Sequence, residues 1–193
     1  MSENLNQNQN RTMALVYDLP SENLRNISEE AKRTIRRVRV RSVQLLHALG
    51  VQCTESVILI PIENRDQITT TIDRVNSMYR ELIQNLEQLG IYGFRTPIIR
   101  TLNLTQEQKT TLLPIAKRRL LEELDRTIES VNEIIDSLNE IVEESRRRRI
   151  RNNLSRIRRN WNRIFNIAQQ LGIDITRDYE FLVEMLEEAY RRV

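Results

Sequence analysis

Residues 51–61 read Val-Gln-Cys-Thr-Glu-Ser-Val-Ile-Leu-Ile-Pro. Two apolar runs joined through the polar pair Thr54-Glu55 predict two short strands, or one bent strand, with a tight turn between them. Helical patterns flank this stretch on both sides. Upstream, Ser28 is placed as a helix N-cap, with Glu29 and Glu30 in the first turn where carboxylates complement the helix dipole. The face then recurs at Ala31, Ile35, Val38, Ser42 or Val43, Leu45 or Leu46, and Leu49, and Gly50 is read as the C′ residue that ends the helix. Downstream, Ile68, Ile72, Val75, Met78 or Tyr79, Leu82 or Ile83, Leu86 and Leu89 lie on one face of a second helix that ends at Gly90.

Working outward, Met13-Ala-Leu-Val-Tyr-Asp-Leu19 is an apolar run closed by Pro20, and its length with Val and Tyr favours a buried strand. Residues 91–102 return to β-type composition, with Pro97 marking an edge or a bulge. The order is β-α-β-β-α-β. Two helices on one face of a small antiparallel sheet form a ferredoxin-like α/β sandwich, assigned to residues 13–103. Residues 1–12 are polar and rich in Asn and Gln, and predict a disordered tail.

After Asn103 no strand signal returns, and residues 104–193 predict an all-α extension, so the fold class is α+β. Thr105 with Glu107 and Gln108 opens a helix. Leu121, Leu124, Ile128, Val131, Ile135, Leu138 and Val142 step by three and four, which is a heptad seam. A second seam runs through Ile150, Leu154, Ile157, Trp161, Ile164, Ala168 and Leu171 and ends at Gly172. A last short helix covers about 177–191. The two seams fit either one rod, as in a coiled coil, or a helical hairpin. The hairpin is favoured, with its turn at Arg151-Asn152-Asn153, because each seam needs an apolar partner.

The chain has 193 residues, 30 basic against 27 acidic, a formal net charge of +3, only four Gly and four Pro, and an apolar fraction of 39% that is too rich in Ile, Leu and Val for a disordered chain. One Cys and one His exclude an internal disulfide framework and the usual Cys/His zinc site. No apolar run is long enough to cross a membrane and no signal peptide is visible, so a cytoplasmic protein without membrane partners is expected. Abundant Ile, Glu and Arg suit a heat-loving microbe or its mobile genetic elements, although only three basic residues are Lys.

The near-balance of charge hides strong segregation. Residues 122–144 hold nine acidic side chains and one Arg, while residues 146–163 hold nine Arg and no acid. In a hairpin the two blocks could neutralise each other, or they could pair between two chains.

No catalytic constellation is legible. His47 lies in a helix beside Leu45 and Leu46 with no nucleophile motif and is read as half-buried packing; Cys53 is read as a small core residue. Four separated glycines make no phosphate loop, and no cofactor or metal is implied. Asp18 is the one carboxylate at a strand end that small α/β enzymes use for metal, and its simpler reading is an Asx turn into Pro20.

Val16-Tyr17-Asp18-Leu19-Pro20, followed by Arg39, Arg41, Leu45, Leu46, Gly50, Val51, Gln52, Ser56 and Val57, resembles the small ferredoxin-fold adaptation subunit of CRISPR systems. The group is similar in turn to certain toxin nucleases and to the C-terminal part of some transcription repressors. The resemblance covers residues 13–61. It implies a ferredoxin-like domain, often a homodimer, sometimes in contact with nucleic acid, and of the family's functional positions it matches Asp18 alone.

The basic clusters carry the leading expectation. Arg33, Arg37 and Arg41 are four apart on the first helix with Arg36 beside them, and Arg146, Arg147, Arg148, Arg149, Arg151, Arg156, Arg158, Arg159 and Arg163 form the second cluster. The planar guanidinium can bind two phosphate oxygens at once. Trp161 falls on the seam and is read as core rather than as a base-stacking platform. The expected function is a non-enzymatic protein that binds the phosphate backbone of DNA or RNA without sequence reading, as a dimer. The alternatives are a structural protein that assembles through its helical extension, and a metal-dependent nuclease that uses Asp18.

Overall fold

In the computed structural model, which describes residues 12–21, 27–138 and 143–193, the apolar run at 13–19 forms β1 (Thr12–Asp18). It is followed by α1 (Glu29–His47), β2 (Val51–Thr54), β3 (Val57–Pro61), a 3-10 turn (Ile62–Asn64), α2 (Arg65–Gln88), β4 (Ile98–Asn103), α3 (Gln106–Ser137), α4 (Glu144–Gln170) and α5 (Thr176–Arg192). The chain divides into two compact units after Lys109, one turn into α3.

In the first unit the strands form one sheet in the order β2-β3-β1-β4, antiparallel throughout, with Leu15 opposite Ile58 and Tyr17 opposite Ile99. This is the ferredoxin-like split β-α-β arrangement that the element order predicts. Two sites of local chemistry start and stop the helices as expected. The Ser28 hydroxyl accepts the Ala31 N–H at 3.2 Å. After α2 the chain turns at Gly90 (φ 75°), where the Ile91 N–H reaches the Leu86 carbonyl at 2.9 Å, a Schellman closure.

Leu15 and Tyr17 of β1 and Ile58 and Ile60 of β3 pack against Ile35 and Leu46 of α1 and against Val75, Tyr79, Leu82 and Leu86 of α2. Each buried aliphatic side chain contributes about 1.5–3 kcal/mol of transfer energy. Tyr79 stacks on Phe94 at 6.4 Å with an interplanar angle of 7°, and burial pushes its hydroxyl up to about 12. Ile58 to Pro61 are all buried, so β3 reads as a continuous apolar run rather than an alternation.

Three sequence expectations need correction here. Gly50 is not a left-handed C′ residue: α1 closes at Ala48, and positive φ occurs at Gly90, Gly93 and Gly172 among the described residues. Gly50 is instead pressed against β3, where a Cβ would stand 2.0 Å from the Leu59 carbonyl oxygen. Residues 91–97 are irregular, and the last strand begins only at Ile98 because Gly93 and Pro97 interrupt it. Of the tail expected at 1–12, Thr12 already belongs to β1 and the rest lies outside the described residues.

The second unit is helical. Thr105 and Gln108 do cap α3 reciprocally: the Gln108 N–H reaches the Thr105 hydroxyl at 3.3 Å, and the Thr105 N–H reaches the Gln108 side-chain oxygen at 2.9 Å. The two seams are on separate helices that fold back on each other, but the turn is not at Arg151-Asn152-Asn153. Those three residues lie inside α4, and the helices part between Leu138 and Glu143. A turn at 151–153 would have split the stripe that runs from Ile150 to the buried Leu154 and Trp161, whereas two exposed or half-exposed Asn in a helix cost only about 0.7 kcal/mol each. Val142 of the first seam lies outside the described residues.

Candidate functional site

The seams decide where the charges go. Leu124 and Val131 of α3 and Leu154, Trp161, Ile164 and Ala168 of α4 are buried, and the Trp161 indole N–H donates to the Thr127 hydroxyl at 3.1 Å. Trp161 is 2% exposed and is therefore core, as its place on the seam predicts. Opposite its buried stripe, α4 exposes Arg148, Asn152, Arg156, Arg159, Arg163 and Asn166, which step by three and four along one face. Arg146, Arg149 and Arg158 are exposed beside them. No acidic residue occurs between Ser145 and Ile173, so this surface has no internal counter-charge along its own helix.

The acidic helix behaves in the same way. Glu122, Asp125, Glu129, Glu133 and Asp136 are all exposed and follow one another by steps of three and four on the side of α3 away from its buried stripe. Among the described residues Glu122, Asp125, Glu129, Glu133 and Asp136 make no ion pair with an Arg of α4; Glu122 is paired with Arg118 of its own helix at 3.9 Å. Among the described residues this acidic face does not neutralise the arginines of α4. Packing through the apolar seams turns both charged faces outward.

Two members of the basic block have a structural role that the residue count did not disclose. Arg147 and Arg151 donate to the Val193 carbonyl oxygen at 3.3 and 2.8 Å. They hold the end of α5 antiparallel to α4, together with Tyr190 to Ser155 (2.9 Å), Tyr179 to Asn162 (2.7 Å), and Phe165 stacked on Tyr179 at 4.2 Å. Local helical periodicity gives no sign of this, because Val193 is 46 and 42 residues further along the chain than Arg147 and Arg151.

In the first unit Arg33, Arg36, Arg37 and Arg41 surround the half-exposed Val40 and line, with Gln44, a shallow depression of about 410 Å³ on the outer face of α1. The sequence-predicted cluster therefore does come together on one surface. Lys32 is drawn aside by Glu29 at 2.7 Å.

A second concavity of about 420 Å³ is lined by Tyr17, Asp18, Arg39, His47, Gln52 and Glu55 among others. Here the Tyr17 O–H donates to the Glu55 carbonyl at 2.7 Å, so at the 2.9 Å contact with His47 the Nε2–H is the donor and the phenol oxygen accepts. Burial raises the Tyr17 hydroxyl and holds His47 below the ordinary histidine value of 6.5. Neutral His47 ties α1 to β1 and, through Tyr17, to the β2–β3 turn. Because the folded-state value is depressed, this stability is complete above about pH 6.5 and is lost as pH falls through the folded value. Urea unfolding at pH 7.5 and 5.5 should show a loss for the wild type that is smaller in His47→Gln.

Asp18 is exposed, and its carboxylate is 3.9 Å from Arg95. Among the described residues no group of three or more His, Cys, Asp or Glu side chains is arranged to hold a metal ion. Cys53 is 1% exposed, in keeping with a core role. No helix of the described residues is long and apolar enough to cross a membrane. In comparisons of the chain with protein-family models, with curated proteins and with solved structures, nothing matches.

Proposed function

We propose that this protein is a non-enzymatic nucleic-acid-binding protein whose outward arginine faces on α1 and α4 grip the phosphate backbone. The observation that carries the reading is the α4 surface: Arg148, Arg156, Arg159 and Arg163 are exposed in one row, on a helix segment without an acidic residue, and among the described residues no acid of α3 is in an ion pair with them. Such a row concentrates positive potential although the whole chain carries only +3. Asn152 and Asn166 in the same row add neutral hydrogen-bond donors and acceptors. Setting aside Arg147 and Arg151, which hold the Val193 carbonyl, seven arginines of α4 remain to meet phosphates. With seven contacts on duplex DNA, the logarithm of the binding constant falls against the logarithm of salt with a slope of about −6. Fluorescence anisotropy with labelled duplex DNA, single-stranded DNA and duplex RNA across 50–300 mM salt tests this. The expected result is tight binding at low salt, steep weakening with salt and little sequence preference. No change in anisotropy with any of the three at 50 mM salt would overturn it.

A further inference from the structure

We propose that the cleft between α3 and α5 receives arginine side chains from the α4 helix of a second copy of this chain, so that copies associate through their opposite charges. This goes beyond the nucleic-acid reading and does not rest on it; because both engage the α4 row, a second copy and a nucleic acid compete for those arginines. The cleft, of about 660 Å³, is lined by Asp125, Ile128, Glu129, Arg177, Asp178 and Phe181. Its three carboxylates outnumber its one guanidinium, and among the described residues none of the three is in an ion pair. Phe181 is 51% exposed at the same place, beside Ile128. Carboxylates next to an uncovered aromatic ring suit a planar cation on an apolar stem: the guanidinium stacks on the ring while its N–H groups meet the carboxylate oxygens.

The chain carries the matching surface itself. The acidic row to which Asp125 and Glu129 belong runs from Glu122 to Asp136, and the arginine row of α4 runs from Arg148 to Arg163. At 1.5 Å per residue these are about 21 and 22 Å long. Within one chain the two rows cannot meet, because the seam that joins α3 to α4 points both of them away from the contact. In a second copy each row finds a partner of opposite sign and equal length.

Sedimentation velocity at 50 and 500 mM NaCl tests the interface. The wild type should associate at low salt and become monomeric at high salt, since surface charges are screened beyond a few ångströms there. The pair D125R/E129R should be monomeric in both, as should R156D/R159D, with unchanged circular dichroism because all four side chains are exposed. An equimolar mixture of the two variants should associate at 50 mM, because the intact cleft of R156D/R159D meets the intact α4 row of D125R/E129R, and the two reversed surfaces match as well. Phe181→Ala should weaken wild-type association about two- to fivefold. A wild type that is monomeric at 50 mM, or a mixture that stays monomeric while the wild type associates, would overturn the proposal. D125R/E129R leaves the α4 arginines in place, so its binding to DNA reads the nucleic-acid function separately.

Discussion

Changing Arg148, Arg156, Arg159 and Arg163 together to alanine should weaken binding to duplex DNA at 50 mM salt by about 10²–10⁴-fold. It should also flatten the dependence of log K on log salt by about 3.6, since each lost phosphate contact removes about 0.9 from the slope. All four side chains point to solvent and alanine is the best helix former, so the fold should be unaffected. The choice of these four matters. Arg147 and Arg151 lie in the same block, but their guanidinium groups hold the Val193 carbonyl. Replacing those two should lower stability by about 1–3 kcal/mol and change the salt slope less than the row does. If the quadruple variant keeps the wild-type slope, the α4 row is not where phosphate is held. The α1 face, with Arg33, Arg36, Arg37 and Arg41, would then have to carry the reading, and the corresponding alanine variants decide that in the same assay.

Gly50→Ala should strongly destabilise the first unit. The new methyl would stand 2.0 Å from the Leu59 carbonyl oxygen, 2.8 Å from Ile58 Cγ2 and 2.9 Å from the Leu59 carbonyl carbon. Two of these atoms are backbone of β3, which is hydrogen-bonded to β2 on one side and to β1 on the other. Relief therefore requires the sheet itself to shift, which places the cost at or above the upper end of overpacking penalties, about 3 kcal/mol or more. Gly90→Ala provides the contrast. Nothing lies within 4 Å of a Cβ there, and the residue loses only its left-handed freedom, at about 1–2 kcal/mol. Urea unfolding of the two variants separates the mechanisms. Equal losses, or a Gly50→Ala chain as stable as the wild type, would refute the close packing of residue 50 against β3.

Much of the fold was legible because its signals are local. Ser28, the Thr105–Gln108 pair, Gly90 and Gly172 mark helix ends through hydrogen bonds that span only a few residues. The alternation of strand and helix patterns over residues 13–103 leads to the ferredoxin-like order, because short connections leave few ways to cover one sheet with two helices. The candidate interface was legible only in part. Arg33, Arg37 and Arg41 share a face by spacing alone, and so do Arg156, Arg159 and Arg163. The separation of Arg147 and Arg151 from the rest was not legible, because it depends on where α5 ends. The Asp125, Glu129, Asp178 and Phe181 cleft was not legible either, because it draws on two helices whose mutual placement no local pattern records.

From its residues alone this chain specifies which face of each helix is apolar, that α2 and α4 stop at Gly90 and Gly172, and that a −8 block adjoins a block of nine arginines. What tertiary structure decided is which faces meet. Asn152 and Asn153 lie inside α4 rather than between the helices, and Leu124, Val131, Leu154 and Trp161 of the two seams are buried. Burying those side chains removes apolar area from water, whereas bringing exposed Glu and Arg together would contribute little in a medium that already screens them. The hydrophobic term therefore sets the orientation, and the opposite charges that looked ready to cancel within one chain are both left facing outward.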